Sequence, residues 1–85
     1  MPATEAVTFV FEGAIRRDSF IGFARHRAAR LDLQLTLGDC RDDRIDLAIC
    51  GQGALIDAFE MACSLGPRDC LVRDVRREST ADRAP

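Results

Sequence analysis

The side chains of this chain with the most binding chemistry are its arginines. All 12 of its formal cations are arginine, because lysine is absent. Five of them fall between Arg16 and Arg30, opposed only by Asp18, a local charge of +4. A guanidinium presents a rigid fork of donors that matches carboxylate and phosphate oxygens. Arg16-Arg17-Asp18-Ser19-Phe20 also leads into a run with helical spacing, and a helix start adds backbone N–H groups that favour an anion. These five residues are the candidate anion site, with the Asp18 charge working against it. The missing lysine removes Schiff-base chemistry and the P-loop lysine. The four cysteines, Cys40, Cys50, Cys63 and Cys70, form no C-x-x-C pair, and His26 is the single histidine, so zinc-ribbon and finger spacings are absent. They read as free, mostly buried thiols in a reducing cytoplasm. His26 stands among Arg25, Arg27 and Arg30 with no evident catalytic partner and reads as a surface histidine. No residue pattern asks for a metal or another cofactor.

The elements that must hold these residues follow from periodicity. Val7, Phe9 and Phe11 alternate with Thr8, Val10 and Glu12, a strand over Ala6 to Glu12 with one apolar face. Gly13 ends it. Ala14 to Ser19 is a short connection, with Ser19 as the expected helix cap. Phe20, Phe23, Ala24, Ala28 and Leu31 form a helical stripe that leaves Arg25, His26, Arg27 and Arg30 off it. Leu33, Leu35 and Leu37 alternate as a second strand. Gly38 to Asp43 reads as a turn, and Arg44 to Cys50 as the third strand of a hairpin. Ala54 to Leu65 is a second helix, with Met61 as core filler and Gly66-Pro67 as its stop. Cys70 to Arg77 is the last strand.

The order β-α-β-β-α-β predicts an α+β ferredoxin-like fold, a four-stranded antiparallel sheet with two helices on one face. At 85 residues and 9.4 kDa the chain reads as one domain, with a core over residues 6–78 and a frayed polar tail over 79–85. No run of about 18 apolar residues exists to span a membrane. Met1 to Glu5 lacks the basic and apolar regions of a secretory signal. A net charge of −2 gives no general reason to bind nucleic acid. The third strand has no aromatic on which a base could stack, which speaks against an RNA-recognition module. The loop after the first strand has no cysteine, which speaks against a metal carrier.

A third reading of this fold fits better. From Val7 to Glu78 the chain resembles the acylphosphatase family. That family follows its first strand with a loop of the pattern G-x-V-Q-G-V-G-F-R, and here Gly13-Ala14-Ile15-Arg16-Arg17-Asp18-Ser19-Phe20-Ile21 takes its place. The family helix, F-R-x-F-V-x-x-x-A-x-x-L-G-L, meets Phe20 to Leu33 without a gap. Leu35-Thr36-Leu37-Gly38-Asp39 stands where the family's second strand ends in a pattern like G-W-V-R-N. Gln52-Gly53, Ala58-Phe59 and Gly66-Pro67 follow in family order.

The departures from that pattern fall on the chemistry. The resemblance implies that the loop N–H groups and the Arg closing the motif hold a phosphate, and that the strand-end Asn orients water. Here Ile21 stands at the Arg position and Asp39 at the Asn position, and the chain has no asparagine at all. Losing one oxyanion donor costs roughly 10²–10³ in rate. A carboxylate about 4 Å from an anion adds roughly 4 kcal/mol of repulsion at an effective dielectric of 20. Two motif glycines have become Arg17 and Ser19. The expected function is therefore an acylphosphatase-like domain, bacterial in type, that has lost hydrolysis and serves in binding or assembly. Its partner would be a small anion or a protein, and its state a monomer or weak homo-oligomer. Two alternatives stand beside this. One is an active acyl phosphate hydrolase in which Arg16 or Arg17 holds the phosphate and Asp39 activates water. The other is a binder of an anionic partner through the arginine-rich loop and first helix.

Overall fold

The computed structural model describes residues 4–79. Its elements run β1 (Thr4–Ala14), α1 (Arg17–Arg30), β2 (Gln34–Cys40), β3 (Arg44–Gln52), α2 (Gly53–Leu65) and β4 (Leu71–Ser79). The sheet order is β2-β3-β1-β4, and every neighbouring pair is antiparallel. This is the ferredoxin-like fold that the element order predicts. No helix among the described residues is long and apolar enough to cross a membrane.

The apolar alternation of β1 determines where the core lies. Val7, Phe9 and Phe11 are buried, and their register partners on β3, Ile49, Leu47 and Ile45, are buried beside them. Both helices lie on this face. Phe20 of α1 meets Phe11 with ring centroids 5.1 Å apart, and Phe59 of α2 meets Phe9 at 6.0 Å. Along α1 the buried line is Phe20, Ala24 and Ala28. Along α2 it is Ile56, Phe59 and Cys63.

The opposite face of the sheet is open and polar. Thr8, Val10 and Glu12 alternate outward there, beside Ala48, Asp46 and Arg44 of β3. Arg44 forks onto Asp46 at 2.8 Å, and Arg76 lies 3.6 Å from both Glu12 and Asp74. No aromatic of the described residues lies on that face; Phe9 and Phe11 are fully buried against the helices.

Several sequence expectations need correction. The helix α1 begins at Arg17, with Arg16 at the cap position and no side-chain cap bond, so Ser19 lies within the first turn and does not cap it. The region expected to be a turn from Gly38 onward continues β2 through Cys40, with a register shift between Leu37 and Cys40. Ser79 belongs to β4, and the rest of the tail lies outside the described residues. Met61 is 69% exposed and is not core filler, because Ile56, Phe59 and Cys63 take the buried side of α2. Of the four cysteines, all free, only Cys63 and Cys70 are buried.

Two glycines are required by the backbone. A Cβ on Gly13 would sit on the Leu71 carbonyl oxygen, where β1 and β4 shift register. Gly66 ends α2 at φ 70°, the left-handed region that glycine enters without steric cost.

Two outcomes follow from this packing. Phe59→Ala should lower unfolding free energy by about 3–5 kcal/mol, read from urea denaturation, because a fully buried ring leaves a cavity against Phe9. Burial pushes the Cys63 thiol up to about 12, so its thiolate is scarce at neutral pH. Mass-spectrometric mapping after brief native alkylation should show Cys63 protected and the half-buried Cys50 labelled. Labelling of Cys63 at the rate of Cys50 would contradict this packing.

Candidate functional site

Topology brings three connections to one end of the sheet. Both β1 and β2 run antiparallel to β3, so they end together, at the end where β3 begins. The strand β4 runs antiparallel to β1 and begins at the same end, Leu71 facing Ala14. The β1–α1 loop, the β2–β3 turn and the α2–β4 loop therefore meet. Backbone bonds tie the first two: Gly13 N–H donates to the Asp43 carbonyl at 3.2 Å and Ile15 N–H to the Asp42 carbonyl at 2.9 Å. A thiol ties the first to the third, since Arg16 N–H donates to Cys70 Sγ at 3.3 Å. Burial pushes that thiol's pKa up, which keeps it neutral.

These loops enclose a cleft of about 560 Å³ lined by Ile15, Arg16, Arg17, Asp18, Ser19, Asp42 and Asp69. Four of the five candidate residues, Arg16, Arg17, Asp18 and Ser19, thus come together. The fifth, Phe20, is a core residue, and its N–H donates to the Arg16 carbonyl at 2.9 Å as the first bond of the helix. The N–H groups of Arg17, Asp18 and Ser19 precede that bond and have no intrahelical acceptor. They supply the positive end of the helix dipole to the cleft.

An internal carboxylate already engages this end. Ser19 Oγ donates to Asp69 Oδ1 at 2.8 Å, and Arg16 Nε lies 3.6 Å from Asp69 Oδ2. The hydrogen bond from Ser19, with smaller help from the backbone and the Arg16 charge, holds the Asp69 carboxyl below its ordinary value. Arg17 has only a loose contact with Asp18, at 4.0 Å. Two guanidinia thus face three carboxylates, Asp18, Asp42 and Asp69, around the cleft.

The two positions singled out by resemblance lie elsewhere. Ile21 is half-buried and is not among the cleft-lining residues, so it neither fills the cleft nor forms a patch with the buried Phe20. Asp39 is exposed near the end of β2, and its Oδ2 forms an ion pair with Arg41 Nη2 at 2.9 Å. Neighbouring Cys40 packs against the core opposite Ile45, and burial, with the charges of Asp39 and Asp46 opposed by Arg17 and Arg25, pushes its thiol pKa up. His26 is exposed. No cluster of three metal-ligating side chains exists among the described residues. Sequence reasoning missed Asp42 and Asp69 as cleft residues and Cys70 as the tie between two of the loops. The signal for them was topological: the predicted fold itself puts the β2–β3 and α2–β4 connections beside the β1–α1 loop.

Solved structures with this arrangement can now be compared. An acylphosphatase from Coxiella burnetii superposes with a TM-score of 0.81 at 20% identity, over 89% of this chain and 80% of that one. The acylphosphatase from Bacillus subtilis gives 0.81 at 17%, over 89% and 84%. The chain has the acylphosphatase fold. Full-length HypF, in its phosphate- and nucleotide-bound form, carries a similar unit: TM-score 0.83 at 15% identity, over 95% of this chain and 11% of that one. No protein-family profile and no curated protein sequence matches the chain. Within the acylphosphatase fold, then, this chain keeps the loop-to-helix junction and places a carboxylate against it.

The Asp69 contact predicts a titration. Its carboxylate form is favoured in the folded state, so the stability it contributes is present above the unfolded pKa and is lost as pH falls through the lowered folded value. Ser19→Ala removes the main cause, and the Asp69 midpoint, followed by carboxyl carbon NMR, should move upward. A midpoint unmoved in Ser19→Ala would mean that the hydroxyl does not hold this carboxylate.

Proposed function

We propose that this acylphosphatase-fold domain is a non-catalytic module that works through binding or assembly. The observation that carries this reading is Asp69, whose carboxylate takes the Ser19 hydroxyl and sits by Arg16 in the cleft. An entering phosphate must displace a tethered anion and remain beside Asp18 and Asp42, against Coulomb repulsion. Two substitutions support the same reading. Ile21, at the position the resemblance gives to the phosphate-holding Arg, brings no donor. Asp39, at the position of the water-orienting Asn, is a carboxylate committed to Arg41.

One observation favours the alternative of a hydrolase with relocated groups. Arg17 lines the cleft, its only ion pair among the described residues is the loose one with Asp18, and it lies near the Asp39–Cys40 segment. In that mechanism Arg17 would hold the phosphate and Asp39 would take a proton from the attacking water.

Hydrolysis of an aryl acyl phosphate by the purified chain separates the two, with the double variant Ile21→Arg, Asp39→Asn run beside it. The expected wild-type rate equals background. A wild-type rate well above background, falling by about 10² or more in Arg17→Ala, would overturn the non-catalytic reading. Activity arising only in the double variant would support it, because the cleft would then lack nothing but its two reacting groups.

A further inference from the structure

The solvent side of α2 carries an apolar seam from Ala54 to Leu65, flanked by the exposed Asp57. Ala54, Ala58, Met61 and Leu65 recur at intervals of four, three and four residues, the spacing of a helix-packing seam. Ala54 and Ala58 are exposed, and Met61 and Leu65 are 69% and 77% exposed, two of the three large hydrophobic side chains left in solvent among the described residues. The seam's charged neighbours are acidic. Asp57 and Glu60 share a single cation, Arg77, at 2.7 and 2.8 Å, and α2 contains no basic residue.

The solvent side of α1 is its complement. Gly22 and Ala29 leave it flat, with open space around Gly22, while Arg25 and Arg30 have no ion-pair partner among the described residues. Arginine stems cover apolar surface while their heads seek carboxylates.

From this we infer that the helical layer is a self-association surface, in which two copies pair about a two-fold axis running along the groove between α1 and α2. The helices lie side by side and run antiparallel, as the strand directions require. Such an axis puts α1 of each copy over α2 of the other and keeps heights along the groove unchanged. The interface closes on itself and does not propagate.

The heights follow from the aromatic contacts. Phe20 packs at the level of Phe11 and Phe59 at that of Phe9. Two strand residues span about 6.6 Å, or about four helical residues, so Ala24 is level with Phe59. Met61 then faces Gly22 of the second copy, Ala54 faces Ala29, and Asp57 comes level with His26, within one residue's rise (about 1.5 Å) of Arg25. The knob meets the open position and the acidic flank meets an unpaired arginine, twice over. Pairing α2 with α2 would instead set two acidic helices together, at a Coulombic cost. Of the side chains brought together, only Asp18, level with Leu65, lines the cleft, and neither reading of the cleft gives it a chemical step, so the surface does not depend on whether the cleft hydrolyses anything.

The test is sedimentation equilibrium of the full chain up to millimolar concentration. The expected mass rises towards twice the 9.4 kDa of the chain, with an affinity in the micromolar-to-millimolar range that a small interface supports. Met61→Glu should abolish the dimer. Gly22→Gln should weaken it at least about tenfold while raising the thermal midpoint of the monomer, because it removes a helix-interior glycine. That opposite movement separates a lost contact from a lost fold. Arg25→Glu should weaken the dimer, and Arg25→Glu with Asp57→Arg should restore it. A chain monomeric at every concentration overturns the inference. So does a dimer that Met61→Glu abolishes but Gly22→Gln and Arg25→Glu leave unchanged, which would be α2 pairing with α2.

Discussion

Two phenylalanines on the central strand organise this molecule. Phe9 and Phe11 point from β1 towards the helices, stacked on one another at 5.6 Å, and each receives one ring from above. Phe11 takes Phe20 from the start of α1, and Phe9 takes Phe59 from the middle of α2. Aromatic burial of this kind is a large apolar contribution per residue and has a preferred geometry, so it fixes position as well as adding stability. The contact at Phe11 places the first turn of α1, and with it the loop from Ile15 to Ser19. The contact at Phe9 sets the height of α2 against α1. Cleft and helical surface are both consequences of where these four rings sit.

The cleft gathers groups suited to an anion and sets the chain's own carboxylates among them. A helix start, two arginines and a serine hydroxyl converge there, and each by itself favours a negative group. The chain supplies that group from within. Asp69 arrives on the loop before β4 because β4 lies beside β1, and Asp42 arrives on the hairpin turn because β3 lies on the other side. The basic character of the Arg16–Arg30 segment, marked in the linear chain, is thus balanced at its N-terminal end, while Arg25 and Arg30 have no ion pair among the described residues.

Much of this was legible in the residue order. The alternation of Val7, Phe9 and Phe11 and the stripe of Phe20, Ala24 and Ala28 gave elements of the correct kind in the correct order, because burial of one face imposes its period directly. Arg16 to Ser19 were legible as neighbours around a helix start for the same local reason. The errors have local causes too. Ser19 resembled a cap because serine caps well, but its hydroxyl found a carboxylate fifty residues away. Met61 resembled core filler because methionine is apolar, yet α2 is apolar on both sides, and only packing on β1 decided which side was buried.

The sequence by itself determined the kinds of element, their order and the chemical identity of the loop that opens α1, since these depend on periodicity and near neighbours. It also determined that residue 21 brings no guanidinium and residue 39 no amide, because folding does not change the chemistry of a side chain. The tertiary structure decided which charges meet. That Asp69 answers Ser19 and Arg16, and that Arg25 and Arg30 meet no carboxylate among the described residues, are outcomes of strand order and helix height. Electrostatic partnership depends on distance in space, and at separations of fifty residues only the fold sets that distance.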